Sequence, residues 1–150
     1  MLLILKALML TALTVAAWVF LARQGGREAI AMPDCAVAYV HDGDTIAMAC
    51  EGRPEVTARL HGFDTAETKE PRCDEERAHG SLAADRLRQL LARGSVEIAR
   101  VGRDRYHRPL IRLSVRGEDV GETLKREGLA VPYWGGTRID WCQRLGARVE

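Results

Sequence analysis

Apolar positions along this chain fall into three kinds of pattern. Residues 7–22 are apolar without a charge, and Lys6 stands just before them. Counted from Met1, the stretch can span a membrane, with Lys6 snorkelling toward the headgroups. It also fits a secretory leader that ends near the small-x-small Ala29-Ile30-Ala31. Residues 1–31 are therefore read as a signal peptide or membrane anchor with a short linker, and residues 32–150 as the folded domain. In that domain, 36–41 and 45–50 are β-prone runs parted by Asp42-Gly43-Asp44, a strong hairpin signal. Residues 55–61 set Val56, Ala58 and Leu60 against Thr57, Arg59 and His61, the alternation of a third strand. The period then changes: Ala78, Leu82, Ala83, Leu87, Leu90 and Leu91 predict a helix over 74–93, stopped by Gly94. Two more strands follow at 95–101 and 110–115, then a short helix over 119–127 closed by Gly128. Residues 133–142, rich in glycine and aromatics, read as coil wrapping back over the domain. Five short strands with a helix between the third and fourth suit an α+β fold. The expectation is a five-stranded, partly open OB-type β-barrel with two to three helices, preceded by the N-terminal hydrophobic helix.

Charge narrows the choice of partners. The chain carries a formal +1, and without residues 1–31 the remainder stands near −1. A nucleic-acid partner would have to be held by a local patch, not by the overall field. The four cysteines, Cys35, Cys50, Cys73 and Cys142, form no Cys-x-x-Cys pair, and the histidines lack metal-ligand spacing, which argues against zinc. An even count behind an apolar N-terminus reads as two disulfides in an oxidising compartment rather than four free thiols. The hairpin would bring Cys35 to Cys50, and Cys73–Cys142 would fasten the C-terminal coil to the start of the long helix. The domain is thus expected outside the cytoplasm, periplasmic or secreted, free or attached to the membrane through residues 1–22.

Candidate chemistry concentrates in one loop, Arg59-Leu60-His61-Gly62-Phe63-Asp64-Thr65-Ala66-Glu67. A guanidinium, two carboxylates, a hydroxyl and a free carbonyl within nine residues can handle a phosphate and a hard metal ion. Read singly, each also suits a solvated turn. Asp44 ends the hairpin turn and Arg108 opens the fifth strand, so a small barrel can bring all of them to one mouth. Asp44, Asp64 and the Thr65 carbonyl would form an incomplete oxygen shell of the kind calcium (Ca2+) tolerates. Arg59 and Arg108 would grip a phosphodiester, and Glu67 could deprotonate a water.

The combination resembles the staphylococcal nuclease (thermonuclease) family. The resemblance rests on Asp42-Gly43-Asp44-Thr45, then Arg59-Leu60-x-Gly-x-Asp64-Thr65-x-Glu67, then Asp104-x-Tyr106-x-Arg108, then Val120-Gly121 and Gly128-Leu129-Ala130. It runs from about Ala36 to Tyr133. It implies an OB-type fold and calcium-dependent hydrolysis of DNA and/or RNA. Carried over by motif, Asp44, Asp64 and Thr65 hold the metal, while Arg59 and Arg108 bind the phosphate. Glu67 serves as general base, and Tyr106 and Tyr133 lie along the nucleotide. Two departures stand out: Ala66 where proline is common, and His107 where glycine usually precedes the second arginine. The alternatives are a nucleic-acid-binding OB module without catalysis, and a tethered domain in which the acids bind calcium only for stability. A monomer is expected.

Overall fold

The computed structural model describes residues 29–147; the leader or anchor expected at the N-terminus lies outside the described residues. The elements, in order, are β1 (Ile30–Ala31), β2 (Cys35–Asp42), β3 (Thr45–Cys50), β4 (Val56–Leu60) and β5 (Gly62–Asp64). They continue as α1 (Asp74–Leu91), β6 (Val96–Arg103), β7 (Pro109–Val115), β8 (Glu118–Asp119), α2 (Val120–Arg126), β9 (Val131–Tyr133) and α3 (Trp141–Arg144). No helix among the described residues is long and apolar enough to cross a membrane.

The main sheet runs β1-β6-β7-β4-β3-β2, with β8 paired to β7, and β5 and β9 form a separate ladder. No ladder joins β1 to β2 among the described residues, so the sheet of the expected partly open barrel is not closed. The five expected strands, β2, β3, β4, β6 and β7, are its body. Strand β4 does not carry on through the loop because Gly62 takes φ +91°, a left-handed conformation that turns the chain away. The next three residues pair instead with β9, Gly62 opposite Tyr133 and Asp64 opposite Val131. That pairing converts part of the expected C-terminal coil into a strand.

The β2–β3 hairpin closes with Asp42 opposite Thr45, and Cys35 stands directly opposite Cys50, where a disulfide joins them. Gly43 is not left-handed; it is there for room. A Cβ at that position would lie 2.7 Å from Ala83 Cβ and 2.8 Å from Thr65 Cγ2. The turn is thereby wedged against both α1 and the acidic loop.

Helix α1 covers the sheet through Ala84, Leu87 and Leu90, which meet Ile46, Leu60 and Ile111 in one core. Its buried stripe is Glu76, Gly80, Ala83, Ala84, Leu87 and Leu90. The expected stripe was offset: Ala78 is exposed, and Leu82 is 59% exposed. Small residues at 80, 83 and 84 let the helix lie close to the loop after β5, which turns Leu82 outward. In β6 a bulge between Arg100 and Gly102 shifts the alternation, so both Ile98 and Val101 are buried. The second disulfide, Cys73–Cys142, joins the N-cap of α1 to α3 across 69 residues.

Candidate active site

Two carboxylates lie at the centre of the molecule with almost no access to water: Asp44 is 2% exposed and Asp64 0%. Burying such charges is costly unless they are paired and hydrogen-bonded. Arg59 supplies the pairing from β4, where it sits opposite Thr45 on β3 and beside Leu110 on β7. Its Nη1 donates to Asp44 Oδ1 (3.0 Å) and its Nη2 to Asp64 Oδ1 (2.9 Å), with Asp44 Oδ2 also 3.0 Å from Nη2. Thr45 Oγ1 donates to Asp44 Oδ1 (2.9 Å) and the Thr65 amide to Asp44 Oδ2 (3.2 Å). Even so, burial pushes the Asp44 carboxyl up to about 7; Arg59 opposes the rise, and Asp42 and Asp64 add to it. The cluster is electrostatically hungry for another cation.

Arg138 meets that demand. Its Nε donates to Asp64 Oδ1 (2.6 Å), Nη2 to the Thr65 carbonyl (3.2 Å) and Nη1 to Glu67 Oε1, while Nη2 lies 3.8 Å from Asp44 Oδ2. One guanidinium therefore bonds to three of the four oxygen groups that the sequence nominated for a metal and its water, and approaches the fourth, Asp44. Three carboxylates face two guanidinium groups. Beside them, Thr65 Oγ1 is buried without a hydrogen-bond partner among the described residues. An all-oxygen donor set with an orphaned hydroxyl at its edge suits a hard divalent cation. Asp44, Asp64 and the Thr65 carbonyl would hold it, with Arg138 drawn off those oxygens.

A groove of about 520 Å³ opens from this cluster, walled by Arg59, Tyr106, Arg108, Tyr133, Trp134 and Arg138 among others. Arg108 reaches it from the β6–β7 turn. The turn is built on Asp104, whose Oδ1 accepts from the Tyr106 and Arg108 amides (2.8 and 2.9 Å). His107 adopts φ +62° there, the conformation for which glycine is the easy choice. The backbone course that glycine favours is thus kept by histidine. Arg108 Nε donates to Asp104 Oδ2 (2.7 Å), and its guanidinium lies 5.7 Å from the Tyr106 ring centroid. Burial alone would raise the Asp104 carboxyl, but the hydrogen bonds from Arg108 and the turn amides leave it below the usual range. Tyr106 is 63% exposed at the groove rim. Tyr133 lies under Arg59, 5.7 Å from guanidinium carbon to ring centroid, and its hydroxyl donates to the Gly136 carbonyl (2.8 Å).

The nominated residues thus fall into two groups. Asp44, Arg59, Asp64, Thr65 and Glu67 form one hydrogen-bonded cluster, whereas Tyr106, Arg108 and Tyr133 line the adjoining groove. Three contributors are not among the residues nominated from the sequence. Arg138 arrives because Gly135 and Gly136, at φ +110° and +91°, turn the chain back toward the loop. Trp141, 2% exposed, donates from Nε1 to Asp64 Oδ2 (3.1 Å). Trp134 stands edge-on to His61 at 5.3 Å between centroids. The Gly-Gly pair and the tryptophan beside Cys142 were the available signals.

Residues 57–139 match the family described as "Staphylococcal nuclease homologue". Among curated proteins, the chain is 27% identical over 99 residues to "Uncharacterized endonuclease" of Haemophilus influenzae, covering 66% of this chain and 52% of that protein. It is 37% identical over 92 residues to "Endonuclease YncB" of Bacillus subtilis, covering 59% of this chain and 43% of the relative. A third relative, "SPbeta prophage-derived endonuclease YokF" of the same species, is also 37% identical over 92 residues, which is 59% of this chain and 30% of its own. The chain spans about half the length of these relatives or less.

Proposed function

From the premise that the chain belongs to the staphylococcal nuclease homologue family, we propose that it is an exported, calcium-dependent nuclease cutting DNA and/or RNA. The observation that carries the reading is the convergence of Asp44, Asp64, the Thr65 carbonyl and Glu67 on one cationic position at the head of an arginine- and tyrosine-lined groove.

In this reading the scissile phosphodiester enters the groove and is gripped by Arg108, whose Nε is held by Asp104 Oδ2 at 2.7 Å. Arg59 holds the Asp44 and Asp64 carboxylates in place and lends its charge to the same wall. Calcium on Asp44, Asp64 and the Thr65 carbonyl would supply a Lewis acid for a phosphoryl oxygen. Glu67 takes a proton from water as the water oxygen bonds to phosphorus; the ester P–O bond breaks, and the departing oxygen is protonated from solvent. Tyr106 and Tyr133 offer their rings to the flanking nucleotide. The apolar segment at 7–22 and the two disulfides support the export part of this reading.

The test is cleavage of plasmid and of labelled oligonucleotides by the purified protein, with calcium, with magnesium and with chelator. Calcium-supported cutting that chelator abolishes is expected, with magnesium a poor substitute because it demands near-octahedral geometry. Binding without any cutting under calcium would leave a nucleic-acid-binding module instead.

A further inference from the structure

We propose a second nucleic-acid-binding groove, outside the cleavage centre, that takes the continuation of a single-stranded substrate. The inference rests on the nuclease reading and extends it to substrate length. The groove, about 540 Å³, opens where the N-terminal end of β4 and the β6–β7 turn splay apart. Those strands pair only at Arg59–Leu110 and Leu60–Ile111, which leaves a trough beyond the ladder.

The trough is lined by Arg53, Arg100, Arg103 and Arg108, and no aspartate or glutamate lines it among the described residues. Glu51 and Glu55 flank Arg53 in sequence but stay out of the groove. Arg53, Arg100 and Arg103 are exposed. Among the described residues Arg53 and Arg100 make no ion pair, while Arg103 donates from Nη1 only to the His107 carbonyl (2.8 Å). Such a concentration of uncompensated charge stands out in a chain of formal net charge +1. Exposed Pro54 and Val56 line it as well, so the arginines can bind anions while the apolar surface between them accepts ring faces. A cationic rim over an apolar and aromatic surface is the arrangement that holds single strands without reading sequence.

Continuity gives the groove its role. Arg103, Tyr106 and Arg108 line both this trough and the groove at the cleavage centre. Tyr106 projects at their junction with Arg105 and Arg108 near its ring, at 4.8 and 5.7 Å. A strand gripped at Arg108 can pass over Tyr106 and lay its next phosphates along Arg103, Arg100 and Arg53. A substrate of two nucleotides would not reach them.

The experiment compares wild type with Arg53→Gln/Arg100→Gln on two substrates: an oligonucleotide of about 20 residues and a dinucleotide ester with a chromophoric leaving group. The double variant is expected to raise the oligonucleotide KM about tenfold, leaving kcat and dinucleotide turnover unchanged. Loss of two single-strand phosphate contacts lowers the salt slope by roughly 1.4. The gap between wild type and variant should therefore narrow by about sevenfold from 50 to 200 mM salt. Equal oligonucleotide KM values, or an equal loss on both substrates, would overturn the second groove. So would lost binding to anionic lipid vesicles with unchanged oligonucleotide kinetics, which would make the patch a membrane surface. A wild-type protein that cleaves neither substrate would instead refute the nuclease reading, and oligonucleotide affinity of the two proteins would still judge the groove.

Discussion

Trp141 donates its indole N–H to Asp64 Oδ2 at 3.1 Å, across 77 residues of sequence. The bond ties α3 to a fully buried carboxylate, so the C-terminal segment is part of the centre and not a cover over it. Trp141→Phe keeps most of the packing and removes only the donor. A hydrogen bond to a charged, buried group contributes roughly 1.5–3 kcal/mol. Urea unfolding should show a loss of that order at unchanged m-value; an unaltered midpoint would mean that Asp64 does not depend on the indole.

Gly80 sits inside α1, where helix propensity alone favours alanine by about 1 kcal/mol. The packing says otherwise. A Cβ at 80 would lie 2.6 Å from the Ala66 carbonyl oxygen and 3.0 Å from that of Glu67, both backbone atoms of the loop that carries the proposed base. Gly80→Ala is expected to lower both stability and turnover, because the loop must retreat and take Glu67 with it. A variant more stable than wild type and equally active would show that the loop has slack.

What the sequence made legible was what local chemistry controls. The β2–β3 hairpin, the bounds of α1 to within two residues and the alternation of β4 follow from side-chain period and turn residues. Two kinds of feature escaped. In α1 the periodicity favoured large apolar residues, so Leu82 was placed inside and Gly80 was given no weight; yet close approach selects the small residue. Arg138 was invisible for a different reason. Nothing within ten residues of it is acidic except Asp140, and its partners at 44, 64 and 67 are set by the return of the chain through Gly135-Gly136. The sequence motif named the acids around the centre but not the cation that sits on them.

Glu67, the proposed base, is the position at which catalysis can be told apart from binding. Its side chain is 35% exposed on a loop and fills no core space, so Glu67→Gln should leave the fold intact. The amide keeps the length and can still accept from Arg138, but it cannot take a proton from water. General-base assistance accounts for roughly 100- to 10,000-fold in rate. Single-turnover cleavage should fall within that range, with calcium-supported oligonucleotide affinity close to wild type. Cleavage at the wild-type rate would remove Glu67 from the chemistry.

Arg138 bears on the metal itself. Its guanidinium occupies the oxygens of Asp64 and Thr65 and approaches Asp44, the groups proposed for calcium. Arg138 lies where calcium would have to sit to reach all of these oxygens, so calcium would have to displace it and would bind more weakly for having to do so. Arg138→Gln removes the competitor. Without metal the variant should be less stable, since Arg59 alone is left to balance the buried Asp44 and Asp64. With calcium the order should reverse in sensitivity: the variant gains more in Tm than wild type, because ligand stabilisation scales with ligand concentration over Kd. Calorimetric titration should give a calcium Kd at least about tenfold tighter, equivalent to roughly 1.4 kcal/mol. That readout does not depend on turnover, which would fall separately if the freed arginine also contributes to gripping phosphate. An unchanged Kd, together with equal calcium-induced shifts in Tm, would mean that calcium binds away from the oxygens Arg138 now holds.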